Sequence, residues 1–178
     1  MRIRIEDLPD EGVHVDADLA EPWVASAVGE AWEGEPRAGQ IHIHVNRVME
    51  GSPTLRVRGK ADATVERNCD RCGTPLRFEH AGPVDLYYVP EGESVAEGSE
   101  LHRDDLDIGW YDGEELDVGD VLMEQLSLWL PARLTCEDRG ATPLVDDPEH
   151  HVCALPAQEP IEDDVAATSP FAGIRLPK

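Results

Sequence analysis

A strictly alternating segment in the middle of the chain constrains the fold more than any other feature. From Leu55 to Glu66, every odd position holds an apolar or small residue and every even position a charged or polar one. Because successive side chains of a β-strand point to opposite faces of a sheet, this pattern predicts a long strand with one buried and one solvated face. The first three even positions are basic, which places Arg56, Arg58 and Lys60 on the solvated face.

Shorter alternating segments predict further strands on both sides of this one. They occur at residues 3–5, 41–45, 76–78, 84–88 and 106–110, with an interruption at Gly82-Pro83. Most connections are short and contain Gly or Pro, which favours an antiparallel meander of about five or six strands. Residues 90–105 are acidic and poor in apolar side chains, and we expect them to form a mobile loop.

Two segments carry apolar residues at helical spacing. We predict helices over Pro22–Trp32 and Val118–Leu130, the second capped by Asp117 and closed by Pro131. Together these elements predict an α+β fold, in which two main helices cover a curved, partly barrel-like antiparallel sheet. For the core we expect one large aromatic residue and part of the second helix: Trp23 or Trp32, with Leu122, Leu126 and Trp129.

The chain loses its periodicity beyond Ala132. Five prolines lie from Pro143 to Pro170, and acidic residues are frequent, so we expect a loop-rich acidic C-terminal tail. We therefore predict one α+β domain over residues 1–135. Residues 136–178 would form an acidic, proline-rich segment that folds back through a cluster of cysteines.

The most chemically specific motif is Cys69-Asp70-Arg71-Cys72, followed by Gly73. Two cysteines with this spacing can direct both sulfurs to one tetrahedral metal ion, and a following glycine admits the tight turn that this requires. Cys136 and Cys153, which are 17 residues apart, can complete a four-thiolate site for one structural zinc ion. Three histidines are possible replacements for a cysteine that does not reach the site: His80, His150 and His151.

Two alternatives to a metal site remain open at this point. Cys69 and Cys72 can form a redox dithiol, whose reactivity needs a helix N-terminus or a nearby cation. Arg71 is such a cation, but the Gly-Thr-Pro-Leu that follows Cys72 does not favour a helix. The four cysteines can also be free thiols that remain from an ancestral metal site.

The charge of the chain limits how it can bind nucleic acid. With 15 basic and 38 acidic residues its formal net charge is −23, which opposes non-specific binding of polyanions over the whole surface. The charge is uneven, however. Residues 56–77 carry six basic and three acidic side chains, whereas residues 91–124 carry one basic and 13 acidic side chains. Contact with RNA would therefore use a local basic face, for which the candidates are Arg56, Arg58, Lys60, Arg67 and Arg71.

No other pattern in the chain indicates catalysis or membrane insertion. The sequence has no glycine-rich phosphate loop, no H-E-x-x-H and no G-x-S-x-G motif, so we expect neither an enzyme nor a small-molecule substrate. No apolar run of membrane-spanning or signal-peptide length is present, and we expect a cytoplasmic location with reduced cysteines.

Several motifs in a fixed order resemble one protein family. Val57-Arg58-Gly59, the Cys69–Cys72 motif, the segment from Leu116 to Pro131 with its Glu124-Gln125-Leu126, and a closing segment at Pro170–Leu176 are similar to the YceD family. Members of this family are called large ribosomal RNA subunit accumulation proteins. Many relatives carry a second closely spaced cysteine pair after the helix. Here Cys136 is followed by Glu137, Asp138 and Arg139 instead.

The resemblance implies a bacterial, non-catalytic factor in large ribosomal subunit biogenesis and 23S rRNA accumulation. It would bind ribosomal RNA or large-subunit ribosomal proteins. The acidic composition leaves a second hypothesis, in which the protein is an interaction module or chaperone for one basic protein and does not contact RNA. A dithiol redox protein is the third hypothesis.

Overall fold

Two long antiparallel strands form the centre of the fold. In this computed structural model, which describes residues 1–91 and 108–155, β4 (Leu55–Asn68) and β5 (Pro75–Pro90) pair along their whole common length. Five of the seven odd residues of β4 are buried and none of its even residues is, which agrees with the alternation. The other elements are β1 (Arg2–Arg4), β2 (Val13–Asp18), α1 (Pro22–Trp32), β3 (Glu35–Arg47), β6 (Ile108–Tyr111), β7 (Glu115–Asp117), α2 (Val118–Trp129) and β8 (Ala141–Pro143), with a 3-10 turn at Ile5–Asp7.

The strands form one large and one small sheet. The large sheet has the order β2-β3-β4-β5-β6, and β8 also pairs with β5; β1 and β7 form a separate two-stranded sheet. Both helices of the described ranges pack on these strands, so the predicted α+β class with antiparallel sheets and two helices is confirmed. Neither helix in those ranges is long and apolar enough to cross a membrane.

Both helices lie where the spacing of apolar residues predicts them. Helix α1 has the predicted bounds, and α2 ends one residue before the predicted end. The N-cap prediction is also confirmed, because the Asp117 carboxylate accepts a hydrogen bond of 2.8 Å from the backbone N–H of Gly119.

Two predictions about the strands are wrong. Gly82-Pro83 does not interrupt a strand, because β5 continues through both residues and Pro83 lies opposite Lys60. Residues 79–86 pair only with β4 among the described strands, and a proline is tolerated on such a free strand edge. The meander is also not wholly antiparallel, since β6 runs parallel to β5. Alternation of apolar residues carries no information on strand direction.

The core prediction is partly correct. Trp32 is fully buried, and its ring N–H donates a hydrogen bond of 2.8 Å to the backbone oxygen of Leu126, which joins the two helices. Its ring also lies 4.8 Å from that of Phe78, centroid to centroid. Trp23 and Trp129, by contrast, are only half-buried.

Two predicted segments extend beyond the described residues. The expected mobile loop at residues 90–105 lies largely outside them, as does the start of the predicted strand at residues 106–110. The tail prediction beyond residue 155, including the closing segment at Pro170–Leu176, also lies outside. The division into residues 1–135 and 136–178 stays a prediction.

Leu126 provides a test of the contact between the helices. Its side chain is fully buried, whereas Leu128 on the same helix is 69% exposed. Leu126→Ala removes buried methyl groups and leaves a cavity, so we expect urea denaturation to show a loss of about 2–5 kcal/mol in the free energy of unfolding. Leu128→Ala is the matched control, with an expected change within about 0.5 kcal/mol. Equal effects of the two substitutions would contradict this account of the core.

Candidate metal centre

The turn between β4 and β5 holds the first two cysteines. The backbone N–H of Cys69 donates to the oxygen of Thr74 (2.9 Å), and that of Gly73 donates to the oxygen of Cys69 (3.0 Å). Gly73 has φ +75°, in the left-handed region that favours glycine. The Cys69 sulfur accepts from the backbone N–H groups of Arg71 (3.3 Å) and Cys72 (3.5 Å). The turn therefore fixes the position of the Cys69 sulfur and stabilises its ionised form.

Asp70 connects this turn to the chain that follows α2. Its backbone N–H donates to the oxygen of Leu134 (2.8 Å), and its carboxylate accepts from the N–H of Leu134 (2.7 Å). The other carboxylate oxygen accepts from Arg67 at 2.9 Å. Leu134 is fully buried and lies only two residues before Cys136. Its burial and its hydrogen bonds to Asp70 therefore fix the position of the chain that leads to Cys136.

Between Cys136 and Cys153 the chain passes along the start of β5. The carboxylate of Asp138 accepts hydrogen bonds from the backbone and hydroxyl of Thr135, which closes a turn around Cys136. Gly140 has φ +88°, and a Cβ at this position would lie 2.3 Å from the oxygen of Glu79, so only glycine fits. Strand β8 then pairs with the start of β5, and Leu144 donates from its N–H to Pro75.

All four predicted cysteines converge at this end of the sheet. Their sulfur atoms lie within 4.8 Å of one another, with 3.6 Å between Cys69 and Cys153 and 3.6 Å between Cys72 and Cys136. None of the four forms a disulfide. A zinc ion with Zn–S bonds of about 2.3 Å has tetrahedral edges of about 3.8 Å, so the spacing fits a four-thiolate site.

The three histidines predicted as possible replacement ligands differ in their positions. His151 lies beside the cluster, with its Nε2 3.7 Å from the Cys72 sulfur. His150 contacts the carboxylate of Asp147 instead, and the His80 ring packs against the ring of Trp129. Of these three histidines, His151 is therefore the one whose ring contacts a cysteine of the cluster.

The four thiols do not ionise alike. Hydrogen bonds from the hydroxyl and backbone of Thr74 lower the pKa of Cys72 to about 5. Burial opposes ionisation of Cys69, but the N–H groups of Cys72 and Arg71 outweigh it and lower the pKa of this thiol. Burial raises the pKa of Cys136 and of Cys153, and the neighbouring Cys69 and Cys72 raise both further.

The difference between the two thiols with a lowered pKa and the two with a raised pKa has a simple electrostatic cause. Two thiolates can form in the cluster with the help of local N–H and O–H donors, and they then oppose ionisation of the other two sulfurs at close range. A divalent cation at the centre removes that opposition. Four sulfur ligands are typical of zinc or of iron–sulfur sites, and a site closed by four protein ligands is typical of structural zinc.

The predicted basic residues do not share one face. Arg56, Arg58 and Lys60 lie on the outer face of the sheet, as the alternation predicts. Arg67 is 13% exposed and donates to the backbone oxygen of Trp32 (3.0 Å) and to Asp70, so it holds the end of α1 against the cysteine turn. Their role in binding RNA stays a prediction.

Carboxylates neutralise two of the remaining arginines. Arg56 makes two hydrogen bonds of 2.9 Å to Asp85, and Arg71 makes one of 2.7 Å to Glu137. These partners lie 29 and 66 residues away in the sequence, so the local charge count did not reveal them. The cationic surface is consequently smaller than the sequence indicates.

The reactivity of Cys72 tests this description of the cluster. Because its lowered pKa keeps the thiolate populated from about pH 5 upwards, we expect alkylation of Cys72 by iodoacetamide in metal-free protein to change little between about pH 6 and pH 8. Thr74→Val removes the hydroxyl donor and should restore a steep pH dependence. Mass spectrometry of the labelled peptides measures both.

Cys136 is the internal control in the same samples. Its raised pKa keeps it protonated at neutral pH, so it should react more slowly than an ordinary cysteine. Equal rates at Cys72 and Cys136, or an unchanged pH profile after Thr74→Val, would contradict the described arrangement.

Comparison with known proteins identifies one family. The model of the family described as "Large ribosomal RNA subunit accumulation protein YceD" matches residues 57–174, which is more than half of the chain. The match contains all four cysteines, both long strands from Val57 onwards, and α2. Neither the curated proteins nor the solved structures contain a match.

Proposed function

Because this chain belongs to the YceD family, we propose that it is a bacterial, cytoplasmic, non-catalytic factor in the biogenesis of the large ribosomal subunit. The observation that carries the proposal is the family match itself, which spans the cysteine turn, α2 and the C-terminal cysteines. On this proposal the protein supports the accumulation of 23S rRNA by binding that RNA or a large-subunit ribosomal protein.

The proposal includes one structural zinc ion held by Cys69, Cys72, Cys136 and Cys153. Its support is the convergence of four sulfurs at tetrahedral spacing and the lowered pKa of Cys69 and Cys72. Zinc would supply the positive charge that allows all four sulfurs to ionise, and it would join the β4–β5 turn to the chain beyond α2. The ion would stabilise the fold rather than act on a substrate.

A second candidate function is an acidic module that binds one basic protein without contacting RNA. The neutralisation of Arg56 by Asp85 and of Arg71 by Glu137 favours it, because it leaves less positive surface for a polyanion. A dithiol redox function has less support. Cys69 and Cys72 lie in a β-hairpin turn, without the helix N-terminus that lowers thiol pKa values in many redox proteins.

Substitution of Asp70 tests the zinc proposal without removing any of the four proposed ligands. Because its carboxylate fixes the chain before Cys136, Asp70→Ala should weaken zinc binding by about 10- to 100-fold, the effect common for residues that orient metal ligands. Competition with a chromophoric chelator measures the affinity, and metal analysis of purified wild type should give one zinc per chain.

Asp10→Ala is the matched control, since Asp10 is exposed and lies far from the cysteines in the sequence. We expect it to retain the affinity of the wild type. A wild-type protein purified without zinc and unable to take it up would refute the zinc proposal, as would equal affinities of the two variants.

Deletion of the gene tests the ribosomal role. We expect the ratio of large-subunit to small-subunit ribosomal RNA to fall in the deletion strain, and to recover when the wild-type gene returns. In sucrose gradients a tagged copy should sediment with large-subunit precursors. An unchanged ratio, together with a tagged protein that stays at the top of the gradient, would remove the ribosomal role.

A further inference from the structure

The segment that ends the metal centre carries two side chains of a zinc-ligand type, of which the four-thiolate site uses only one. Cys153 is one of the four cysteines whose sulfur atoms lie within 4.8 Å of one another, and His151 lies two residues before it. The imidazole of His151 is outside that group of four. Its Nε2 nevertheless lies 3.7 Å from the Cys72 sulfur. A fifth side chain that can bind zinc therefore lies beside the cluster.

Side chains of this segment alternate between the cluster and the solvent. His151 and Cys153 are half-buried, whereas the residues between them and on either side of them are exposed. A tight turn surrounds Cys153, in which the backbone N–H of Ala154 donates to the oxygen of Val152 at 3.0 Å. The Cys153 sulfur contacts that of Cys69 at 3.6 Å, while His151 contacts Cys72. Both side chains are therefore directed at the cluster.

The position of the His151 ring suits a zinc ligand. Zinc bonds of about 2.0–2.1 Å to a histidine nitrogen and about 2.3 Å to a sulfur give a nitrogen–sulfur distance of about 3.6 Å in a tetrahedral site. The 3.7 Å between His151 Nε2 and the Cys72 sulfur is close to this value. Three cysteines with one histidine form structural zinc sites, as four cysteines do. Exchange of the Cys153 sulfur for this imidazole therefore leaves a closed site of a common type.

Cys153 is the ligand whose chain segment is least firmly attached. The other three cysteines lie in the β4–β5 turn or directly after the buried Leu134. Beyond Leu144, by contrast, no described residue is buried. The backbone hydrogen bonds of the described residues beyond that point join positions only two or three apart. Segments with few buried contacts open locally at little cost, so Cys153 is the ligand that we expect to detach first.

We propose that His151 is a reserve ligand of the zinc site, which binds the ion through Nε2 when the Cys153 sulfur detaches. The proposal rests on the zinc ion of the proposed function and adds a fifth residue to its four ligands. Because the two residues lie on the same short segment, the exchange needs only a small shift of the chain. A site that keeps four protein ligands during this exchange should release zinc more slowly than a site that falls to three.

Substitution of Cys153 in the full-length protein tests the proposal. Cys153→Ala removes the sulfur without supplying another ligand, so His151 should complete the site and the variant should still bind one zinc ion. In Cys153→Ala/His151→Ala the affinity should fall further, by at least about 10-fold, because the loss of a direct ligand costs no less than the loss of a group that orients one. Competition with a chromophoric chelator measures both affinities.

Cobalt(II) in place of zinc reports which atoms bind the metal. The intensity of its sulfur-to-metal charge-transfer band depends on the number of bound thiolates, and its d–d bands shift when nitrogen replaces sulfur. Cys153→Ala should show one thiolate fewer and the d–d bands of a site with a nitrogen ligand. Those bands should change again in Cys153→Ala/His151→Ala. A histidine that only donates a hydrogen bond to Cys72 would give the two variants the same d–d bands, which would overturn the proposal.

His150→Ala is the matched control, because the side chain of His150 is 81% exposed and contacts Asp147. Added to Cys153→Ala, it should leave the zinc affinity of that variant unchanged. If the substitutions of His150 and His151 weaken binding equally in this background, or if neither weakens it, the proposal is wrong.

His151→Ala with all four cysteines present provides a test that does not depend on the folding of the Cys153 variants. Four thiolates remain, so this variant should bind zinc and keep the circular dichroism spectrum of the wild type. It should nevertheless transfer its zinc to EDTA several-fold faster, whereas His150→Ala should transfer it at the wild-type rate. Equal rates of His151→Ala and wild type would refute the reserve ligand alone. A wild type that binds no zinc would refute the zinc proposal and this one together.

Discussion

The register of the β4–β5 hairpin is the constraint on which the other features of this structure depend. Its pairing runs from Leu55 opposite Tyr88 to Asn68 opposite Pro75. Since side chains alternate between the faces, a slip of one residue would turn Val57 and Val65 outwards and bring Arg58 into the core. The same register places the Cys69–Cys72 turn at one end of the sheet and the basic residues on its outer face. The proposed metal site and the predicted basic residues therefore depend on one set of backbone hydrogen bonds.

The chain beyond α2 is held in a different way from the rest. Leu134 and Thr135 are buried, but no described residue after Thr135 is, and Val152 and Leu155 are 78% and 67% exposed. Hydrophobic burial therefore contributes little to holding the segment that carries Cys136 and Cys153. Backbone pairing through β8 and the cysteine cluster remain as the main attachments. Structural zinc contributes about 10–16 kcal/mol in zinc-finger peptides, which is ample for this role.

Local patterns predicted the elements of this fold, and long-range contacts decided the rest. Apolar spacing located both helices and β4, and the spacing of Cys69 and Cys72 indicated a turn that can bind metal. The approach of Cys136 depends on the bonds between Asp70 and Leu134, which no local pattern shows. Strand β2 was missed although the signal is present, because Val13, Val15 and Ala17 alternate with polar residues. That strand adds His14 to the outer face of the sheet, opposite His44.

A protein with a net charge of −23 can still attract a polyanion locally, because charge acts over a limited distance. At physiological salt the Debye length is about 8 Å, and strands of a sheet are about 4.8 Å apart. A phosphate on the outer face of the sheet therefore interacts mainly with groups on the same strand or on the neighbouring one or two. Arg58 and Lys60 lie within this range, and so do the carboxylates of Asp62 and Asp85. Carboxylates on the far side of the molecule are largely screened. The attraction of a phosphate to this face is therefore the difference between a few nearby cations and a few nearby carboxylates, and the net charge of the whole chain does not decide it.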